Sequence, residues 1–423
     1  MDRTIAPHYK EIGHIHFIEP QSFNLANGMQ ALVFKSGTQE VVKIELNFKA
    51  GTVYQNKNLQ AATCNALLRE GSQNFSAEKL AEQLDFYGLF LSLSAEKDWA
   101  KISLYSLTKH IDKGLDILVD ILTYPSFDEH QLQLYLSKTR QRFKMDMEKV
   151  KFIANRTFNA ELFRGHTYAK VLEEDDFNNI HREDLISFFK QYYQPKDCKV
   201  VIAGQFNEQI LYKIKKRLET INGSSNSSSI PAFTIQSNNQ SLFYTEKKGA
   251  MQSGIRLGKI LFNKTHEDYA AMQVLNTILG GYFGSRLMKN IREDKGYTYG
   301  IGSAVVSLHA TGYLTIVSEV NAANTQQTLD EIDKEIKVLQ TDLISSDELE
   351  KVRNYMLGQF LRNMDGAFAQ SDTYTEAWLY NLNWEYYHRL IQTIKTIQAK
   401  QIRDLSNQYL QTDSLIRVIA GKM

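Results

Sequence analysis

Four residues between Leu279 and Ser303 have types and spacing suited to holding a peptide. The stretch opens with Gly280 and Gly281, and glycines allow a backbone to approach a ligand or another chain closely. Arg292 supplies a fixed fork of donors that suits carbonyls and carboxylates. Tyr299 follows beyond a glycine turn, and its hydroxyl can donate to the same target if the two elements converge. The alternative is a helix, a turn and a strand with a surface arginine and one of 22 tyrosines.

The sequence GSRLMKNIREDKGYTYGIGS, residues 284–303, resembles the second-domain signature of the pitrilysin/insulinase metallopeptidases, which include mitochondrial processing peptidase. In that family an arginine and a tyrosine with the spacing of Arg292 and Tyr299 hold the substrate backbone opposite a zinc ion. The resemblance therefore implies that these two residues bind substrate, with Gly280 and Gly281 beside them. It extends over about residues 20–423.

The zinc-binding residues of that family are missing from this chain. The family carries an H-x-x-E-H motif, whose two histidines bind zinc and whose glutamate activates water. Alignment on the Gly-Ser pair at 71–72 places the three key positions at Ala62, Asn65 and Ala66. Methyl groups cannot bind zinc, and an amide cannot serve as a general base. The third ligand aligns near Arg142, where a cation would repel a metal.

No other group in the sequence replaces this zinc site. None of the histidines has H-x-x-E-H or H-E-x-x-H spacing; they are at positions 8, 14, 16, 110, 130, 166, 181, 266, 309 and 388. Cys64 lies near the vacant metal positions but has no histidine close in sequence, so we expect a buried apolar role. The glycines at 280–302 have neither P-loop nor Rossmann spacing, which argues against a nucleotide site.

Length and composition indicate a two-domain globular protein. A chain of 423 residues is too long for one ordinary core, and 43% hydrophobic with 23% charged residues is a normal globular balance. The net charge of +1 argues against nucleic acid or an anionic membrane as the main partner. Only two cysteines, Cys64 and Cys198, are present, and no signal peptide is visible at the start. We therefore expect a cytoplasmic location.

The order of patterns predicts an α+β fold made of hairpins and helices. The alternating sequence VVKIELNF at 41–48 predicts a half-buried strand. The Ser/Asn/Gly-rich run at 219–241 predicts a flexible linker. We therefore predict an N-terminal peptidase-like domain over 1–218 and a C-terminal domain over 242–423, with Asn222 to Ser229 exposed between them.

The second half of the chain repeats the first. Residues 180–204 and 397–421 align without a gap and share Gln-Tyr, then Gln, then Val-Ile-Ala-Gly. We expect each segment to form a helix followed by a strand. Two copies of one α+β unit, each a mostly antiparallel sheet covered by helices, commonly face each other across a cleft that can hold a ligand.

Together these features suggest a subunit that holds substrate but carries no metal. In heterodimeric members of the resembled family, one subunit carries zinc and the other supplies the arginine and tyrosine. The resemblance thus implies that this chain binds no cofactor itself and works with a zinc-carrying homologous peptidase subunit on extended peptides. Two alternatives remain open, a purely structural subunit and a stand-alone zinc peptidase with a displaced site.

Overall fold

The structure is a computed structural model that describes residues 15–223, 234 and 240–423. Asn222 and Gly223, at the start of the predicted linker, are exposed. The rest of the segment for which exposure was predicted, 224–229, lies outside the described residues. The domain boundaries at 218 and 241 therefore stay a prediction.

The first half of the chain forms one six-stranded sheet with helices around it. Its strands are β1 (Gln21–Asn24), β2 (Gln30–Lys35), β3 (Val41–Phe48), β4 (Phe90–Ala95), β5 (Ala100–Leu107) and β6 (Cys198–Gly204). They lie in the order β1-β2-β6-β3-β5-β4, and only β2 and β6 are parallel neighbours. Its helices are α1 (Gln60–Leu67), α2 (Ala77–Phe86), α3 (Ile111–Thr123), α4 (Glu129–Met147), α5 (Val150–Leu162), α6 (Asp176–Asn179), α7 (Arg182–Tyr192) and α8 (Glu208–Leu218).

The second half forms a five-stranded sheet of the same kind. Its strands are β7 (Leu242–Glu246), β8 (Gln252–Leu261), β9 (Thr298–Ser307), β10 (Gly312–Asn321) and β11 (Ile416–Gly421), in the order β7-β11-β8-β10-β9. Its helices are α9 (Tyr269–Asn276), α10 (Thr325–Thr341), α11 (Ser346–Arg362), α12 (Gly366–Trp378), α13 (Trp384–Thr396) and α14 (Ala399–Tyr409). Two π-helical segments, Thr277–Gly281 and Met288–Asp294, lie between α9 and β9. The predicted α+β class with mostly antiparallel sheets is confirmed.

The internal repeat corresponds to matching elements in the two sheets. The first repeated segment forms α7 and then β6, and the second forms α14 and then β11. In the gapless alignment Val201 of β6 corresponds to Val418 of β11. Both strands lie between a parallel neighbour and an antiparallel one, β3 or β8 respectively. The repeat therefore gives a residue-by-residue correspondence between the two sheets.

One helix from each half packs on the sheet of the other half. Helix α5 of the first half lies on β8 and β11, where the backbone of Val150 occupies the space next to Gly254. Helix α12 of the second half lies on β2 and β6, where Tyr374 contacts Phe34 with ring centroids 5.5 Å apart. A side chain at Gly254 would meet backbone atoms at 2.7–2.9 Å, so only glycine fits there. Each half thus completes the other's core.

No helix in the part of the chain that the structure describes is both long and apolar enough to cross a membrane. The cytoplasmic location stays a prediction.

Candidate functional site

Tyr299 lies in a β-bulge at the start of the edge strand β9. On the β10 side, Ser318 pairs with Ile301 and Val320 pairs with Thr298, so Tyr299 and Gly300 together face the single residue between them. Bulges turn a side chain out of the regular alternation and are common next to active sites. The Tyr299 side chain is 92% exposed, the largest exposed fraction among the large hydrophobic residues of the described chain.

Hydroxyl groups hold this bulge in place. Thr298 Oγ1 accepts a hydrogen bond of 3.1 Å from the Gly300 N–H and donates to the Glu319 carbonyl at 2.5 Å. Ser318 Oγ lies 3.0 Å from the Gly300 carbonyl oxygen. These bonds satisfy backbone groups that the bulge removes from the strand ladder. Thr298 and Ser318 are thus positioning residues for Tyr299, and no sequence pattern identifies them as such.

Arg292 lies on the second π-helical segment, Met288–Asp294. Its guanidinium lies 4.5 Å from the ring centroid of Phe283, which is 62% exposed. Arg292 makes no hydrogen bond or ion pair with any residue that the structure describes. The donors of this guanidinium are therefore available to a ligand, while its carbon contacts the Phe283 ring.

Polar contacts on the other side of this segment anchor it to α10. The Asn290 amide donates to Glu331 at 2.9 Å and to Glu335 at 2.7 Å. Lys295, just after the segment, forms an ion pair of 3.1 Å with Glu331. These three contacts hold the backbone on either side of Arg292, so the arginine is presented from a fixed base.

The glycine pair has a packing role in the structure. Gly280 is buried, and a side chain there would meet Ser303 Oγ at 2.6 Å and Ser303 N at 2.7 Å. Gly281 is exposed, and a side chain there would meet Asn276 at 3.1 Å. Gly280 thus allows the first π-helical segment to lie directly on β9. Contact of either glycine with substrate stays a prediction.

Much of the edge of β9 beyond the bulge is already covered. The Ser303 carbonyl accepts from the Asn276 amide at 3.3 Å, and the Val305 carbonyl accepts from the Gln273 amide at 3.3 Å. An extended peptide cannot pair with these carbonyls without displacing the two amides. The open part of this edge is therefore the bulge itself, at Tyr299 and Gly300.

An open cleft of about 580 Å³ adjoins the bulge, between α5 and the second sheet. We call it the Tyr299 cleft, and its lining includes Lys151, Ala154, Gly254, Arg256, Tyr299, Gly300, Gly302, Val317 and Glu319. It is lined by one element from the first half and three strands from the second. Arg292 is not among its lining residues, so the structure brings Tyr299, but not Arg292, into this cleft.

The predicted vacant metal positions lie on α1 and carry no metal-binding group. Ala62 and Ala66 are half-buried, and Asn65 is buried with its amide donating to the Tyr193 hydroxyl at 3.1 Å. Burial raises the pKa of Tyr193 well above its ordinary value, so this partner is a neutral phenol. Cys64 is fully buried, and burial raises the pKa of its thiol, which keeps it protonated and unreactive.

The third predicted position is also unsuited to zinc. Arg142 lies on α4 with 82% of its side chain exposed, 3.8 Å from Asp146. Within the described ranges, no three or more His, Cys, Asp or Glu side chains are placed to hold a metal ion. The residues present therefore do not fit the zinc that the resembled family carries, and no chemical step through zinc can be derived for this chain.

Comparison with known proteins identifies the family. The family model described as "Insulinase (Peptidase family M16)" matches residues 31–176, and the one described as "Peptidase M16 inactive domain" matches residues 179–356. The two matches together cover most of the chain. The chain belongs to peptidase family M16.

Similar M16 proteins span nearly the same length. "Uncharacterized zinc protease YmxG" of Bacillus subtilis is 22% identical over 404 residues, which are 94% of this chain and 97% of that protein. "Non-peptidase homolog YmxG" of Helicobacter pylori is 23% identical over 395 residues, 89% of this chain and 88% of that protein. A solved structure described as a protease from Helicobacter pylori has a TM-score of 0.86 at 17% identity, over 96% of this chain and 100% of that one.

The names given to these two relatives differ on whether they are proteases, although their sequence identities to this chain are nearly equal. Overall similarity within M16 therefore does not decide catalytic capacity. The residues predicted to lie at the zinc positions are Ala62, Asn65 and Ala66, and none of them can bind zinc. That the chain is non-catalytic stays a prediction.

Proposed function

We propose that this M16 chain is the substrate-holding, non-catalytic subunit of a two-subunit zinc endopeptidase. Its substrate is an extended peptide or unfolded polypeptide, and its partner is a homologous subunit that carries the zinc. Arg292 and Tyr299 bind the peptide carbonyl near the scissile bond and stabilise the negative charge that develops on it.

The observation that carries the proposal is the state of these two side chains. Tyr299 is turned out by a bulge and is 92% exposed, and Arg292 has no polar partner among the described residues. An exposed tyrosine needs no bulge, and an arginine in a structural role usually has a carboxylate or carbonyl partner. Oxyanion stabilisation requires donors that are not already used within the protein, and both side chains meet this condition.

The need for a partner follows from the vacant zinc positions. A pair of donors for a developing oxyanion has no use in catalysis without a group that activates water. Ala62, Asn65 and Ala66 cannot supply that group. The name of the Helicobacter pylori relative, a non-peptidase homologue, agrees with a chain that does not cleave peptides by itself.

Reconstitution tests this proposal. The purified chain is mixed with a zinc-carrying M16 protein from the same organism, and cleavage of unstructured peptides is followed by mass spectrometry. We expect the mixture to cleave faster than either protein alone, with the zinc found in the partner. The proposal is contradicted if every M16 protein of that organism keeps the same activity and the same elution volume when it is mixed with this chain.

A further inference from the structure

Arg256 occupies the floor of the Tyr299 cleft at a position that the internal repeat relates to Glu45. Glu45 of β3 pairs with Val201 of β6, and Arg256 of β8 pairs with Val418 of β11. Since Val201 and Val418 correspond in the repeat, Glu45 and Arg256 occupy equivalent places in their sheets. Two residues earlier on the same faces, Lys43 pairs with Asp372 of α12 and Gly254 contacts the backbone of Val150 of α5, so each position lies on the face covered by the helix of the opposite half.

In the first sheet, the charge at this place is fully satisfied. Glu45 forms an ion pair of 3.0 Å with Lys43 and accepts hydrogen bonds from Asn47 at 3.1 Å and Ser103 at 3.2 Å. Lys101 lies 3.6 Å from the same carboxylate. A buried charge is tolerated only when it is paired and hydrogen-bonded in this way.

In the second sheet, every one of these partners has been lost. The strand registers show which residues of the second sheet occupy the places of these partners. Gly254 and Gly258 of β8 correspond to Lys43 and Asn47, and Val317 and Thr315 of β10 correspond to Ser103 and Lys101. Gly254 and Gly258 have no side chain to offer, and Val317 has no polar atom. The Arg256 side chain accordingly forms no hydrogen bond or ion pair with any residue in the described part of the chain.

An unpaired, half-buried guanidinium is costly. Burial lowers the pKa of Arg256 from its usual value, and the nearby Tyr313 hydroxyl opposes this shift only in part. A carboxylate entering the cleft would restore the pairing that Glu45 has in the first sheet, with both its oxygens in reach of the arginine fork.

The remaining charges along the cleft make one part of it more favourable for a carboxylate than another. Lys151, exposed on the first turn of α5, adds a second cation to the lining of the cleft. Glu319 of β10 pairs with Gly254 of β8. It is also the residue opposite the bulge formed by Tyr299 and Gly300. A bound carboxylate is therefore favoured at Arg256 and disfavoured beside Glu319.

We propose that the Tyr299 cleft is a subsite that binds a carboxylate of the extended peptide through Arg256 and Lys151. This inference rests on the proposed function in that it takes the ligand to be the peptide whose backbone Tyr299 and Arg292 hold. The carboxylate is either an acidic side chain a short distance along the peptide or the free C-terminus.

Peptide binding to the purified chain tests the inference without a catalytic partner. In a series of fluorescein-labelled polar peptides, a single glutamate is moved from one position to the next, and a control peptide has glutamine at the same position. Each peptide is made with a free and with an amidated C-terminus. Fluorescence anisotropy then gives the Kd values. We expect the best-placed carboxylate to bind about tenfold more tightly than its neutral counterpart, as a charge-assisted hydrogen bond provides. A preference at one internal position indicates a side chain, and a preference abolished by amidation indicates the C-terminus.

Two variants make the test specific. Arg256→Gln should abolish the preference for the carboxylate while the melting temperature stays the same or rises, because an unpaired charge has been removed. Arg389→Gln, which removes an exposed arginine on α13 that does not line the cleft, should keep the preference. A preference unchanged by Arg256→Gln, or a melting temperature lowered without any change in preference, would overturn the inference.

The same binding data separate this inference from the proposed function. If Arg292→Ala weakens every peptide equally but no carboxylate preference exists, the subsite fails and the substrate-holding function stands. If the preference depends on Arg256 but Arg292→Ala and Tyr299→Phe change nothing, the subsite stands and the proposed function fails. Absence of binding by all peptides up to millimolar concentration would contradict both.

Discussion

The hydroxyl oxygens of Thr298 and Ser318 lie 3.1 Å apart across the bulge that presents Tyr299. Thr298 is on the bulged strand and Ser318 is on its neighbour, and both also contact backbone atoms of Gly300. Tyr299 itself makes no such contact, so its position depends on this pair.

The first prediction concerns Thr298→Val. Valine suits a strand but cannot make the hydrogen bonds to Gly300 and Glu319, so we expect the free energy of unfolding to fall by about 1–2 kcal/mol. The Gly300 amide should also exchange with solvent faster, which hydrogen–deuterium exchange measures. Thr315→Val is the matched control, because the buried hydroxyl of Thr315 has no hydrogen-bond partner in the described structure. That variant should be neutral or more stable.

The second prediction concerns Gly280→Ala. The added methyl group would overlap Ser303, whose backbone N cannot move away freely, so we expect a loss of about 1–3 kcal/mol in stability. Gly358→Ala, in α11 with no atom within 4 Å of the added methyl group, should instead be more stable by about 0.5–1 kcal/mol. Chemical denaturation of both variants makes the comparison. Equal stability of the two would show that the packing of Gly280 on β9 is not tight.

The third prediction concerns pH and the contact between the halves. Burial alone would raise the pKa of Glu45, but Lys43, Lys101 and the hydrogen bond from Asn47 together outweigh this, and the pKa of Glu45 is lowered. Lys43 also pairs with Asp372 of α12, so the pair joins the first sheet to the second half. A lowered carboxyl pKa adds stability that is present at neutral pH and is lost as the pH falls below the ordinary carboxyl range.

Urea denaturation at a series of pH values checks this. The native chain should lose stability as the pH falls below about 5, and Glu45→Gln should lose less stability over the same range. At pH 7, Glu45→Gln should be about 3 kcal/mol less stable than the native chain. Asp347→Asn, which removes an exposed carboxylate on α11, should keep the pH dependence of the native chain. An identical slope in the native chain and in Glu45→Gln would contradict the role given to Glu45.

The fourth prediction concerns metal. Because Ala62, Asn65 and Ala66 offer no ligands, the purified chain without a histidine tag should hold no stoichiometric zinc and cleave no peptide alone. Elemental analysis that finds about one tightly bound zinc per chain would contradict the reading of α1 and restore the stand-alone peptidase alternative.

The fold could be predicted from the sequence because its patterns are local. The hairpin at β1 and β2 follows from Asn27 and Gly28, whose φ of +91° needs a glycine. The repeated helix and strand follow from the aligned segments at 180–204 and 397–421. Strand β3 shows the limit of prediction from local patterns. Its alternation predicts one exposed face, but Lys43 and Glu45 on that face are buried. The helix that covers them, α12, lies 320 residues or more further along the chain, so no local sequence pattern near β3 predicts this contact.

The site could be predicted only in part for the same reason. The spacing of Arg292 and Tyr299 is visible in the sequence, but the bulge at Tyr299 depends on the register of β9 against β10. Arg256 has no signal in its own neighbourhood, since it is one charged residue in an alternating strand. Its unpaired state is visible only when the registers of the two sheets are compared.

The measurement that tests the central claim most directly is peptide cleavage by the reconstituted pair with Tyr299→Phe. Tyr299 is 92% exposed and its hydroxyl makes no hydrogen bond within the described chain, so folding and assembly should be unchanged. One donor to a developing oxyanion is worth about 3 kcal/mol, so turnover should fall about a hundredfold. Arg292→Ala should lower turnover and also weaken peptide binding, because a charged donor is lost. If both variants cleave as fast as the parent pair, the two residues are only structural and the proposed function is wrong.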